Sequence, residues 1–163
     1  MAYGFAIDGF QGFSTILKHV LFGIATFFIL GALAATLTST VANHYFLAFH
    51  PHSVPQKVDW LYAFDVHCNA FVVFFLLVGV VQYLTLPLVL AHGFFPAVAA
   101  NSLYLAAGIG YVNVTFLGYL ALPFLNKDKV TSLLYPALLL LLTWTTACLL
   151  KVNAARFMLG FVF

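Results

Sequence analysis

Three long stretches of this chain contain no formally charged side chain. No Asp, Glu, Lys or Arg occurs from His19 to Gln56, from Val66 to Asn126, or from Val130 to Leu150. A helix needs about 20 apolar residues to cross a hydrocarbon core of roughly 30 Å, and each stretch holds at least one such run. Of 163 residues, 64% are hydrophobic and 6% charged, against the roughly one quarter that a water-solvated surface demands. The reading is an all-α, polytopic transmembrane helical bundle of about four spans, one membrane domain over residues 1–163.

Local signals divide the runs. Spans are expected at about 20–42, 69–90, 97–120 and 131–150. Pro51 and Pro55 break the chain between the first two, since proline lacks a backbone donor and clashes with the preceding helical turn. A helical turn or two from Val58 is expected to lead into the second span, with Asp65 capping or charging its N-terminal end. Pro87, His92-Gly93 and Pro96 mark the next turn, and Asn126-Lys127-Asp128-Lys129 the last. The uncharged run Phe94 to Leu125 would make a helix of roughly 48 Å, so tilt, an interfacial start or a kink near Gly108 and Gly110 has to absorb the excess. The stretch Met1 to His19 and the tail Phe157 to Phe163 read as interfacial. No basic start with a short apolar core opens the chain, so no cleaved signal peptide is expected.

The formal charge of +2 and the lack of a basic run give no support to nucleic-acid binding. Cys68 and Cys148 lie at or within apolar runs and read as free, buried thiols. No phosphate loop or nucleophile elbow is present, so no catalytic residue is assigned. His50-Pro51-His52, with His44 and His67, lacks the regular thiolate or carboxylate spacing of a zinc site. A metalloenzyme built on Asp65, His67 and His50 is a third reading, but neither metal nor cofactor is expected. Asn113-Val114-Thr115 matches a glycosylation triplet but lies inside a span. Orientation from charge is a tie: Lys18, Lys151 and Arg156 on one side, Lys57, Lys127 and Lys129 on the other.

Polar residues within the runs are more informative. Asn101, Tyr104, Gly108, Tyr111, Thr115, Gly118 and Leu122 recur at steps of three and four, one stripe of a helix. Leu105, Ile109, Val112, Phe116 and Leu120 form the opposite face, expected toward lipid. The stripe reads either as packing and hydrogen-bonding between helices or as the lining of a solute or proton pathway, an alternative that makes the chain a small transporter or channel. Upstream, Trp60 to Phe71 is the densest polar-aromatic cluster. As a helix it sets Asp65 and Asn69 one turn apart with His67 elsewhere, which disfavours a catalytic triad. His67, Asn69, Asn101, Tyr104, Tyr111 and Thr115 are expected to form an intramembrane polar network. Asp59, Trp60, Tyr62, Asp65, Lys127 and Lys129 are the candidates for contacting a partner at the membrane face.

Three segments carry a resemblance: Val58-Asp-Trp-Leu-Tyr-Ala-Phe-Asp-Val-His-Cys-Asn-Ala-Phe71, Asn101-Ser-Leu-Tyr-Leu105 and Val114-Thr-Phe-Leu-Gly-Tyr-Leu-Ala-Leu-Pro-Phe-Leu125. They resemble the uncoordinated-fifty family of multi-pass membrane proteins, with weaker similarity from about Phe5 through the fourth span. The resemblance implies a non-enzymatic protein of the Golgi apparatus and endoplasmic reticulum with five spans. It also implies a role in vesicular trafficking and in delivery of membrane proteins, nicotinic acetylcholine receptors among them, to the cell surface. The implied partners are the lipid bilayer, large Arf guanine-nucleotide exchange factors and receptor cargo. RNA binding has been proposed for some members, and nothing in this sequence supports it. The resemblance implies cytosolic loops at Asn43 to Asp65 and Asn126 to Lys129. The family's N-terminal region and first span have no counterpart here, and Tyr3 to Gly12 resembles the end of that hairpin, so a shortened or divergent member is expected.

Overall fold

The computed structural model describes residues 13–48 and 56–162. The readings placed on Tyr3 to Gly12, His50, Pro51, His52 and Pro55 lie outside them. Helix α1 runs Phe13–Val41 and ends in a π-helical turn, Ala42–Phe46. Helix α2 runs Trp60–Leu84, α3 is the short Leu86–Val89, α4 is Phe94–Leu120, α5 is Lys127–Leu149 and α6 is Ala154–Val162. Among the described residues four helices are long and apolar enough to cross a membrane: Leu17–Phe46, Trp60–Leu84, Phe94–Leu120 and Lys127–Leu149.

The caps explain where these helices begin and end. Asp59 is extended and accepts from the Leu61 amide at 3.4 Å, so α2 begins at Trp60, well before the span boundary read at Asn69. Asp65, read as the capping group, instead sits in the second turn. The far end of α2 widens into π-helical turns over Phe75–Val81 and stops at Thr85, because Pro87 has no amide to continue the ladder. Gly93, at φ +131°, opens α4, a backbone conformation side chains rarely tolerate. Asn126 starts α5 by accepting from the amides of Asp128 (3.0 Å) and Lys129 (3.3 Å). Its end is a Schellman turn: Val152 N donates to Ala147 O at 2.9 Å and Lys151 N to Cys148 O at 3.2 Å. Lys151 holds the left-handed position at φ 56°.

The helices form a row, α1 against α2, α2 against α4, and α4 against α5. Lipid supplies no hydrophobic drive between helices, so close approach of small residues substitutes for it. At Gly108, Gly110 and Gly118 a methyl group would fall 2.7, 2.7 and 2.9 Å from Leu140, Val73 and Val66 respectively. Two of these glycines lie on the polar stripe, which therefore faces neighbouring helices. The opposite face is only partly lipid-facing. Val112 is buried, and Phe116 and Leu120 pack on the core of Ala35, Ala63, Val66 and Tyr119. The physical reason is position: α4 has neighbours on two sides. Its exposed stripe is instead Ala106, Ile109, Asn113 and Leu117.

Replacing Gly118 by valine forces Val66 and the α2 backbone away, and overpacking of this kind costs about 1–3 kcal/mol. Gly118→Val is expected to lower the melting temperature in detergent, while Gly23→Val, where nothing lies within 4 Å of the site, leaves it unchanged.

Candidate functional site at the loop-bearing end

The two loops between long helices converge on one end of the bundle. Asn43, in the last turn of α1, holds the backbone of Val58 with both ends of its amide: Nδ2 donates to Val58 O at 3.0 Å, and Val58 N donates to Oδ1 at 2.7 Å. Asn126 N donates to Phe46 O at 2.7 Å and Ala48 N to Phe124 O at 3.1 Å, closing an antiparallel bridge between Leu47 and Leu125. Backbone amides that leave the helices at a membrane boundary need partners, and these bonds supply them. Beneath them lies the larger apolar cluster, including Ala42, Phe46, Val58, Leu125 and Val130.

The six candidate contact residues separate into two groups on this end. Asp59, Lys127 and Lys129 are exposed at the bundle's edge. Trp60, Tyr62 and Asp65 are engaged along the helices. The Trp60 indole donates to Thr36 Oγ1 at 3.0 Å and stacks on Phe64 at 5.5 Å. The Tyr62 hydroxyl donates to Gly118 O at 2.6 Å. Asp65 is exposed and accepts from Asn69 Nδ2 at 3.3 Å.

The intramembrane candidates likewise resolve into separate pairs. His67 is 6% exposed and its Nδ1 lies 2.7 Å from the Tyr111 hydroxyl. Phe27, Phe64 and Phe71 surround the ring at 5.5 to 6.1 Å, and its edge packs on Gly31. Nε2 has no partner, whichever tautomer the Tyr111 bond selects. Thr115 donates to Tyr111 O within its own helix at 2.9 Å. Asn69 bonds back to Asp65 on the exposed edge, apart from this pair. Asp65 and His67 thus point in different directions, as helical spacing requires. Among the described residues no three His, Cys, Asp or Glu side chains come together as a metal site.

Asn101 works at the opposite end. Its Nδ2 donates to Val152 O at 2.9 Å and its Oδ1 accepts from Ala154 N at 2.9 Å. Asn153 Nδ2 donates to Val89 O at 2.7 Å, and Arg156 donates to Leu90 O through Nε (3.2 Å) and Nη2 (2.5 Å). The C-terminal carbonyls of α3, which lack helical donors, are thereby satisfied by residues at the start of α6. Part of the sequence signal for this latch was available, because Asn153 before an apolar run is a helix-start pattern; Arg156 at the third position gave none, since a capping box takes Glu or Gln there. Gln82 is a further residue that the sequence reading passed over. It is 1% exposed, beside Tyr104, and its Oε1 has no partner. Tyr119 is fully buried with an unpartnered hydroxyl that lies toward Thr38.

Four membrane-length helices, glycine-packed and latched by backbone-directed asparagines, define a polytopic α-helical membrane protein. The chain belongs to the UNC-50 family, whose model matches residues 1–163. It is 38% identical over 156 residues to a protein unc-50 homolog of Dictyostelium discoideum, covering 94% of this chain and 59% of that one. It is 33% identical over 163 residues to the Homo sapiens protein unc-50 homolog, with 99% and 61% covered. It is also 36% identical over 129 residues to protein GMH1 of Saccharomyces cerevisiae, with 76% and 47% covered. The chain spans about three-fifths of the length of the first two, and none of the three is named for a catalytic activity. No solved structure matches.

The His67–Tyr111 pair makes a two-sided test. Tyr111→Phe leaves the imidazole with no hydrogen bond at all, and orphaning a buried polar group costs about 1–3 kcal/mol. The double variant His67→Phe/Tyr111→Phe removes both polar groups and is expected to recover much of that loss in a detergent unfolding assay. At the other end, Asn101→Leu is expected to raise amide exchange at Ala154, whose N–H it holds, while sparing the amides of Val152, held by Ala147 O, and Asn126, held by Phe46 O.

Proposed function

We propose that this chain is a non-enzymatic membrane protein of the Golgi apparatus and endoplasmic reticulum that acts in vesicular trafficking and delivery of membrane proteins to the cell surface. Its partners in this reading are large Arf guanine-nucleotide exchange factors on the cytosolic side and receptor cargo in the bilayer. Membership of the UNC-50 family over residues 1–163 is the observation that carries the reading. The convergence of the loops after α1 and after α4 on one end supports it, because a cytosolic partner needs a single continuous surface. On that surface Asp59 and Lys127 are the direct contact candidates, both exposed. Lys129 stands beside them, while Trp60 and Tyr62 tie the start of α2 to α1 and α4 and Asp65 is exposed in its second turn. The rival reading, a solute pathway along the Asn101 to Gly118 stripe, needs free space where Leu140 and Val66 already stand.

A fluorescent fusion of the full chain is expected to co-localise with Golgi or endoplasmic-reticulum markers, and plasma-membrane residence would sink the proposal. Co-precipitation of a large Arf exchange factor is expected to fall several-fold with Asp59→Ala/Lys127→Ala and to persist with Lys151→Ala on the opposite end. Equal recovery by both variants would remove these residues from the contact surface.

A further inference from the structure

Helices α1 and α5 meet through the π-helical turn Ala42–Phe46 and the first turn of α5, Lys127–Val130, and no comparable contact joins their lengths. Where they part, they leave an open groove of about 430 Å³. Its inner wall is Val41 and Phe46. Its rim is Asp128, Lys129 and Ser132, with Tyr45 and Tyr135 on either side.

We propose that this groove binds one molecule of phosphatidylethanolamine, its phosphate at Lys129 and its ammonium at Asp128. Three observations carry this. The first is depth: α1 ends and α5 begins its membrane crossing here, and tyrosines at such a level mark the headgroup layer. The second is chemistry. The Lys129 ammonium and Asp128 carboxylate take no hydrogen bond or ion pair among the described residues, since only their backbone atoms serve the fold. A base and an acid at adjacent positions match a headgroup that carries phosphate and primary ammonium together. A lysine is a point-charge partner for phosphate, and a primary ammonium gives three donors to a carboxylate where a quaternary one gives none.

The third is shape. Lys129 and Tyr135 are six residues apart, about 9 Å along the helix, so the groove spans the headgroup layer and opens at its lower edge on the apolar layer. Below it Leu33 and Leu37 of α1 and Leu138 and Leu142 of α5 are exposed, an apolar track for an acyl chain. A water-soluble ligand has no use for that lower wall. The inference rests on the membrane reading and is separate from the trafficking proposal: Asp59 and Lys127, on which the partner test turns, do not line the groove.

The test is native mass spectrometry of the full chain in detergent, titrated with phosphatidylethanolamine and, separately, phosphatidylcholine of the same acyl chains. A single phosphatidylethanolamine is expected to be retained about two- to fivefold over phosphatidylcholine, the preference of one added exposed charge-assisted contact. Lys129→Ala is expected to lower retention of both several-fold. Asp128→Asn is expected to reduce phosphatidylethanolamine to the phosphatidylcholine level, and Lys151→Ala to change nothing. Both groove substitutions spare the backbone bonds of the helix start, so loss of the fold is not the expected confounder; an unchanged melting temperature checks this. Equal retention of the two lipids by the native chain, or undiminished phosphatidylethanolamine binding by Lys129→Ala or Asp128→Asn, overturns the assignment and leaves only annular lipid at this seam.

Discussion

Hydrocarbon offers neither hydrogen bonds to polar groups nor a hydrophobic reward for helix association, and the architecture follows from that pair of facts. Backbone amides are satisfied inside helices. Contact between helices then depends on how closely backbones approach, and glycine sets that distance at Gly108, Gly110 and Gly118. Substituted in water, the same residues would be weak points. In lipid they are where α4 receives α2 and α5, and they make α4 the centre of the row.

Polar side chains act mostly on backbone rather than on one another. Asn43 holds Val58, Asn101 holds Val152 and Ala154, and Asn153 and Arg156 hold the carbonyls of Val89 and Leu90. Each bond meets a group exposed where a helix ends, the place at which the helical ladder itself runs out of partners. The consequence is two latched ends and an interior with few direct side-chain links, His67 to Tyr111 foremost. Both latches bear on function differently. The Asn43 and Asn126 latch assembles the loop-bearing surface proposed for partner contact. The Asn101 latch fastens the amphipathic α6 to the other end, with Phe157 and Met158 exposed.

Among the described residues three buried polar side-chain atoms stay without hydrogen-bond partners: His67 Nε2, Gln82 Oε1 and the Tyr119 hydroxyl. Each belongs to a side chain whose remaining polar or aromatic contacts join two helices, so the orphaned atom is the cost of a geometry chosen for packing. His67 illustrates it. Its ring fills the space over Gly31 among three phenylalanines, and one nitrogen reaches Tyr111 while the other lies against Gly31.

The membrane class, the number of long helices and the inward stripe of α4 were legible in the sequence, because charge-free length and three-to-four spacing are local properties that lipid rewards directly. The family was legible too, through Val58 to Phe71 and Val114 to Leu125. Other features required tertiary structure. Periodicity shows which side of α4 is polar, but only the presence of two neighbours made Val112 and Phe116 part of the core rather than lipid-facing. Asn101 read as one member of an interior network, and the return of α6 decided that it fastens a helix start instead. Asp59 displaced Asp65 as the cap of α2 because a cap depends on backbone conformation, which composition does not encode. The groove between α1 and α5 belongs to the same category: residues 41 to 46 and 128 to 135 meet only because the chain between them folds back twice through the bilayer.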